Sequence, residues 1–182
     1  MMLPRTVHIV IAAFTFASSG FSLSHANAQT APSSTVAVRD SGWRVVWSDE
    51  FNRDGLPDVS KWDYEDGLVR NKEAQFYTRR RAKNARVERG VLVIEARREP
   101  WQGSAYTSAS LITLGTFGFQ YGRVEVRAKL PAARGAWPAI WMLGEDRAIV
   151  GWPRCGEIDI LEHVGHLPGV VHGTAHQVDL DL

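Results

Sequence analysis

From Trp43 to His176 the chain is written almost entirely in short β-type segments separated by turn residues. No stretch carries the apolar period of an amphipathic helix. WRVVWSDEF at 43–51 opens the series, and RVERGVLVIEARRE at 86–99 reads as a hairpin turning at Arg89-Gly90. SASLITL at 108–114 and GRVEVRAKL at 122–130 alternate polar and apolar residues. WPAIWML at 137–143 is unbroken apolar sequence, which suits a buried strand. EIDILEHV at 157–164 and VVHGTAH at 170–176 flank a loop containing Pro168-Gly169. Many short strands at this spacing predict an all-β, antiparallel sandwich or barrel. With 45% apolar residues in 182, such a chain can bury a core. Cys155 is the single cysteine, so packing and not a disulfide must hold the fold, and Cys155 is expected to be buried.

The first residues are expected to stand apart from that fold. Arg5 supplies a positive start, residues 9–23 an apolar stretch rich in small residues, and Ala26-Asn27-Ala28 a cleavage site before Gln29. Residues 1–28 therefore read as a signal peptide, 29–41 as a flexible polar leader, and 42–182 as the folded domain of a secreted protein. The apolar stretch is interrupted by Ser and Gly and is shorter than the ~20 residues a membrane span needs. A net charge of +1 gives nucleic acid no electrostatic footprint. The basic run Arg79-Arg80-Arg81, with Lys83 and Arg86, is expected to be a solvated loop. Seven tryptophans are many for a chain of this size. Their flat apolar faces suit either core packing or the C–H faces of sugars.

The segment richest in chemistry is GEIDILEHVG at 156–165. Alternate residues of a strand share a face, so Glu157 and Asp159 point one way and Ile158 the other. Regular alternation would turn Glu162 to the opposite face. One extra residue at Ile160-Leu161, a β-bulge, returns it to the face of Glu157. The two glutamates would then stand ~13 Å apart at Cα, and their side chains could lean together. Retaining glycosidases hold their carboxyls ~5–5.5 Å apart and inverting ones ~6.5–9.5 Å, and this spacing reaches the first without excluding the second. Close acids push one another's proton affinities apart, which suits an acid and a nucleophile in one site. A solvent-facing acidic strand and a calcium site are the other readings of the same residues.

These pieces together resemble glycoside hydrolase family 16, in its laminarinase-like branch. The resemblance runs from about Trp43 to His176. It is carried by WSDEF at 47–51, NKEAQFYT at 71–78, YGRVEVRAKLP at 121–131, GAWPAIWMLG at 135–144, GWPRCGEIDILEHVG at 151–165 and VHGTAH at 171–176. It implies a curved β-jelly-roll sandwich, concanavalin A-like, with an open cleft on its concave sheet. It further implies retaining hydrolysis of internal bonds in β-1,3 or mixed β-1,3/1,4 glucan, with galactans as substrates of some relatives. Glu157 would be the nucleophile, Glu162 the acid/base, and Asp159 a partner that tunes Glu157. Trp137 and Trp141 would be sugar-stacking platforms, and Asn71, Glu125 and Arg127 substrate contacts. His176 would border the cleft, since its strand is expected to pair with the catalytic one. His172 and His176 are four residues apart, ~13 Å on a strand, which argues against a shared zinc. No cofactor is required by the resemblance. A structural calcium would take Glu50 and the carbonyl of Gly90 among its ligands. For Trp43, Trp47, Trp62 and Trp101, core or edge packing is the default. The resemblance stops after His176, where the family continues for several strands, so the domain is expected to be incomplete at its C-terminus. A non-catalytic glucan-binding module on the same fold, and a lectin-like sandwich whose acids bind calcium, are the competing functions.

Overall fold

Arg89 and Gly90 both adopt positive φ, 53° and 75°, and this left-handed pair reverses the chain into a two-residue hairpin. The computed structural model describes residues 7–12 and 42–178. In chain order the strands are β1 (Val7–Ala12), β2 (Asp63–Tyr64), β3 (Gln75–Tyr77), β4 (Ala85–Glu88), β5 (Val91–Ile94), β6 (Arg97–Trp101), β7 (Ser104–Ser108), β8 (Ser110–Ile112) and β9 (Ala139–Gly144). One short helix, α1 (Arg147–Val150), precedes β10 (Glu157–Glu162) and β11 (His172–His176). The expected hairpin is β4–β5, with Glu88 opposite Val91. The fold is all-β in its architecture, as expected. A six-stranded antiparallel sheet runs β11-β10-β9-β1-β8-β2, and a three-stranded sheet runs β3-β7-β6. The pair β3–β7 is parallel, the one departure from a wholly antiparallel arrangement among the described strands.

β9 explains why its sequence is unbroken apolar. Ala139, Trp141 and Leu143 pack with Cys155 on one face, and Ile140 and Met142 pack with Phe119, Val124, Ile160 and Leu161 on the other. Covered on both sides, it can carry no polar stripe. The free thiol of Cys155 is buried, as expected. A second cluster gathers Trp62, Tyr64, Ala85, Ala109 and Leu111 under the opposite end of the sheet.

Three expectations need correction. Residues 43–51 form no strand; instead Trp47 stacks on Phe117 at 5.6 Å and meets Trp62 edge-on at 5.3 Å. Residues 122–130 also form no strand, and most are exposed. Alternation prepares a segment for a sheet, but a strand exists only where a neighbour completes its hydrogen-bond ladder. Among the described residues neither segment has one. Third, the basic run is not merely solvated. Arg79 pairs with Asp63, and Arg81 pairs with Glu99, bonds Asn84 Oδ1 at 2.8 Å and lies 4.5 Å over the Trp101 ring. In the unprocessed chain Val7–Ala12 lies antiparallel between β8 and β9. An apolar stretch of β-forming residues can satisfy two facing strand edges at once. The flexible leader at 29–41 and the cleavage site at Ala26-Asn27-Ala28 fall outside the described residues.

Candidate active site

β10 runs between β9 and β11, and its two ladders place the acids. Glu157 stands opposite Leu143 on one side and His176 on the other, and Asp159 opposite Trp141 and Thr174. The register then slips: Leu161 faces Ile140, and Glu162 faces Ala139 and His172. Ile160 is the extra residue, so the expected bulge is present. It brings Glu162 onto the face that carries Glu157 and Asp159. Ile158, on the reverse face, is 45% exposed.

Asp159 is buried at 6% exposure and meets the His176 ring, Nε2 to Oδ2 at 3.1 Å. The same nitrogen is 3.9 Å from Glu157 Oε1. His176 therefore borders the acids, as its strand pairing predicted. Burial, and next the charge of Asp159, push the Glu157 carboxyl above its ordinary range. The facing His176 and a hydrogen bond from Trp152 pull against that rise. The fold thus disfavours the charged form of Glu157.

Each glutamate also has an indole partner. The Trp137 Nε1–H donates to Glu162 Oε1 at 3.1 Å, while its ring stays 45% exposed. Trp152 bonds Glu157, its ring centroid is 5.9 Å from that of His176, and it is 58% exposed. Trp152 borders the acids but was not singled out in the sequence. Its one signal was position, an aromatic five residues before Glu157 in the loop entering β10.

The remaining candidates are spread more widely. Trp141 shares the face of Trp137 but is only 7% exposed, because the Arg70 guanidinium lies 5.1 Å over its ring. Arg70, not singled out in the sequence, is held there by an ion pair to Glu65. Asn71 and Lys72 both take left-handed φ, 51° and 53°, so Asn71 makes a turn here. Glu125 pairs with its neighbour Arg123, and the Arg127 side chain has no hydrogen bond or ion pair among the described residues. Glu50 and Gly90 are exposed. Among the described residues no cluster of acids gathers at Glu50, and two candidate ligands fall short of the six to eight oxygens calcium takes. The one three-donor group is Glu157, Asp159 and His176, whose ligand atoms lie within 4.8 Å of one another.

The raised affinity of Glu157 for its proton sets a pH-dependent stability. In the unfolded chain Glu157 ionises around the ordinary glutamate value of 4.5, before it does so in the fold. As pH climbs past that value the unfolded state is favoured, and the cost is complete once pH passes the folded value. Glu157→Gln is therefore expected to melt higher than wild type at neutral pH. The difference should vanish below pH ~4, where both states are protonated. Melting curves across that range decide the point; a difference that does not change with pH would contradict it.

Comparison with known proteins agrees with this geometry. The sequence model of Glycosyl hydrolases family 16 matches residues 72–178. A "Beta-glucanase" of Rhodothermus marinus is 59% identical over 139 residues, covering 74% of this chain and 48% of the relative. The X-ray structure of the laminarinase from Rhodothermus marinus superposes with a TM-score of 0.72 at 57% identity, covering 74% of this chain and 55% of that one. A mutant of SCLam, a non-specific endo-β-1,3(4)-glucanase co-crystallised with 1,3-β-D-cellotriosyl-glucose, gives a TM-score of 0.72 at 46% identity, covering 75% of this chain and 57% of that one. The shared fold is the β-jelly roll. This chain spans about half the length of these relatives.

Proposed function

Because the chain belongs to glycoside hydrolase family 16, we propose that it hydrolyses internal β-1,3 or mixed β-1,3/1,4 glucan bonds with retention of configuration. The observation that carries this reading is the bulge at Ile160, which gathers Glu157, Asp159 and Glu162 on one face of β10. A strand with only a structural role gains nothing from three acids there and bears their repulsion.

In the first step a Glu157 carboxylate oxygen attacks the anomeric carbon. The bond to the leaving oxygen breaks, its electron pair goes to that oxygen, and the Glu162 proton follows it. In the second step Glu162, now a carboxylate, takes a proton from water while the water oxygen attacks the anomeric carbon. Glu157 leaves as a carboxylate. Asp159, buried against His176, supplies the negative field that keeps Glu157 from being over-stabilised as an anion. The exposed rings of Trp137 and Trp152 offer flat faces to sugar rings beside the two acids. The apolar stretch after Arg5 and the Ala26-Asn27-Ala28 site support export, with Gln29 as the new first residue. Removal of residues 1–28 would also take β1 out from between β8 and β9.

One experiment tests the whole reading. The full chain is expressed with its own N-terminus, collected from outside the cytoplasm and incubated with laminarin, lichenan and cellulose. Reducing ends should appear from the first two, the first-formed product should be the β anomer by NMR, and the intact mass should begin at Gln29. An α product would exclude retention, binding without release would favour a glucan-binding module, and a mass beginning at Met1 would exclude processing.

A further inference from the structure

The Trp137 indole donates from Nε1 to Glu162 Oε1 at 3.1 Å, and an indole N–H can only donate. Oε1 is thereby committed as an acceptor, which leaves Oε2 to carry whatever proton Glu162 holds. We propose that Trp137 is a positioning residue for Glu162. It selects Oε2 as the oxygen that passes the proton to the leaving group, and it favours the anion that remains. This rests on the reading of Glu162 as acid/base, and goes beyond a sugar-stacking role for Trp137.

The register of the sheet makes the contact specific. Glu162 lies opposite Ala139 at the start of β9, and Trp137 is two residues earlier, on the same face. The indole can reach the carboxyl only because the bulge at Ile160 has turned Glu162 to that side. The other edge of Trp137 is free, since the residue is 45% exposed.

The contact acts on the two chemical steps in opposite ways. In the first step the proton moves from Glu162 Oε2 to the leaving oxygen, and Glu162 ends as a carboxylate. A hydrogen bond to an anion is stronger than one to a neutral acid, so the indole contact tightens as the transition state is approached. That is the condition for a contact to raise kcat and not merely lower KM. In the second step the carboxylate gains a proton from water and the same contact weakens.

Trp137→Phe removes the donor and keeps a flat ring. Expected is a fall in kcat on laminarin of about 10- to 100-fold, the worth of one hydrogen bond to a charged group, with KM within about 3-fold. On an aryl β-glucoside with a highly activated leaving group, where no proton need be delivered, the fall in kcat should be much smaller than on laminarin. Trp137→Ala, which loses the ring as well, should in addition raise KM. A Trp137→Phe variant that equals wild type on laminarin, beside an alanine variant with raised KM, would leave stacking as the residue's role and overturn the proposal. Glu162→Gln is the separate check on the underlying reading. If it loses both substrates alike, the acid/base assignment fails, whatever Trp137 does. A measurement without turnover also decides the contact. The indole ¹H–¹⁵N resonance that disappears in Trp137→Phe should move upfield in Glu162→Ala, and no movement would overturn the proposal even in an inactive preparation.

Discussion

With Glu157 as the proposed nucleophile, Glu157→Gln is expected to reduce laminarin hydrolysis by about 10⁴- to 10⁶-fold, the scale seen when a covalent nucleophile is removed. The amide keeps the size of the side chain but cannot form the glycosyl-enzyme. Glu157 sits between Leu143 and His176 in the register, so a group of the same shape still fits. The fold should persist, and the variant should gain stability at neutral pH because an acid driven above its ordinary range by burial and by Asp159 has gone. Loss of activity with a raised melting temperature is therefore the signature to look for. A variant that loses both would point to a structural role for Glu157. Steady-state rates on laminarin, with melting curves on the same preparations, provide the test.

Gly144→Ala is expected to damage both the fold and the site beside the acids. A Cβ at Gly144 would lie 2.1 Å from the carbonyl oxygen of Cys155 and 2.9 Å from its carbonyl carbon. Both atoms are backbone and cannot swing aside. Gly144 also donates its N–H to the Gly156 carbonyl at 3.2 Å, one residue before Glu157. The added methyl must therefore push apart β9 and the chain that leads into β10, moving Glu157 as it does so. Overpacking against fixed backbone costs about 3 kcal/mol. For a chain of this length that is a fall of roughly 6–12 °C in melting temperature. Activity should fall further than stability alone explains, because Glu157, the proposed nucleophile, shifts from its place beside Asp159. A melting temperature within a degree or two of wild type would show that the two strands can separate at little cost, and the steric account would fail.

What the sequence determined by itself was the periodicity of each segment and the chemistry placed upon it. Acids at 157, 159 and 162 interleaved with isoleucine and leucine required a bulge if all three were to share a face, and the bulge is at Ile160. The run at 137–143 had no polar residue, and β9 is covered on both sides. Arg89-Gly90 marked a turn that needs left-handed backbone, and both residues adopt it. These were legible because each depends on neighbours in the chain.

Everything that depends on what lies across a gap was decided by the tertiary structure. Residues 122–130 alternate as well as any strand but find no ladder among the described residues, since a period states which face is apolar and not what will meet it. Gly144 looks like any other glycine in sequence, yet it is needed for the closeness of Cys155 and not for an unusual φ. Trp137 and Trp141, alike in sequence, are separated by the Arg70 guanidinium that covers one of them. The indoles of Trp152 and Trp137 reach Glu157 and Glu162 from outside β10, one from the loop before it and one from the chain entering β9. Hydrogen-bond partners are chosen by distance in space, and distance in space between residues far apart in the chain exists only once the sheet has closed its register.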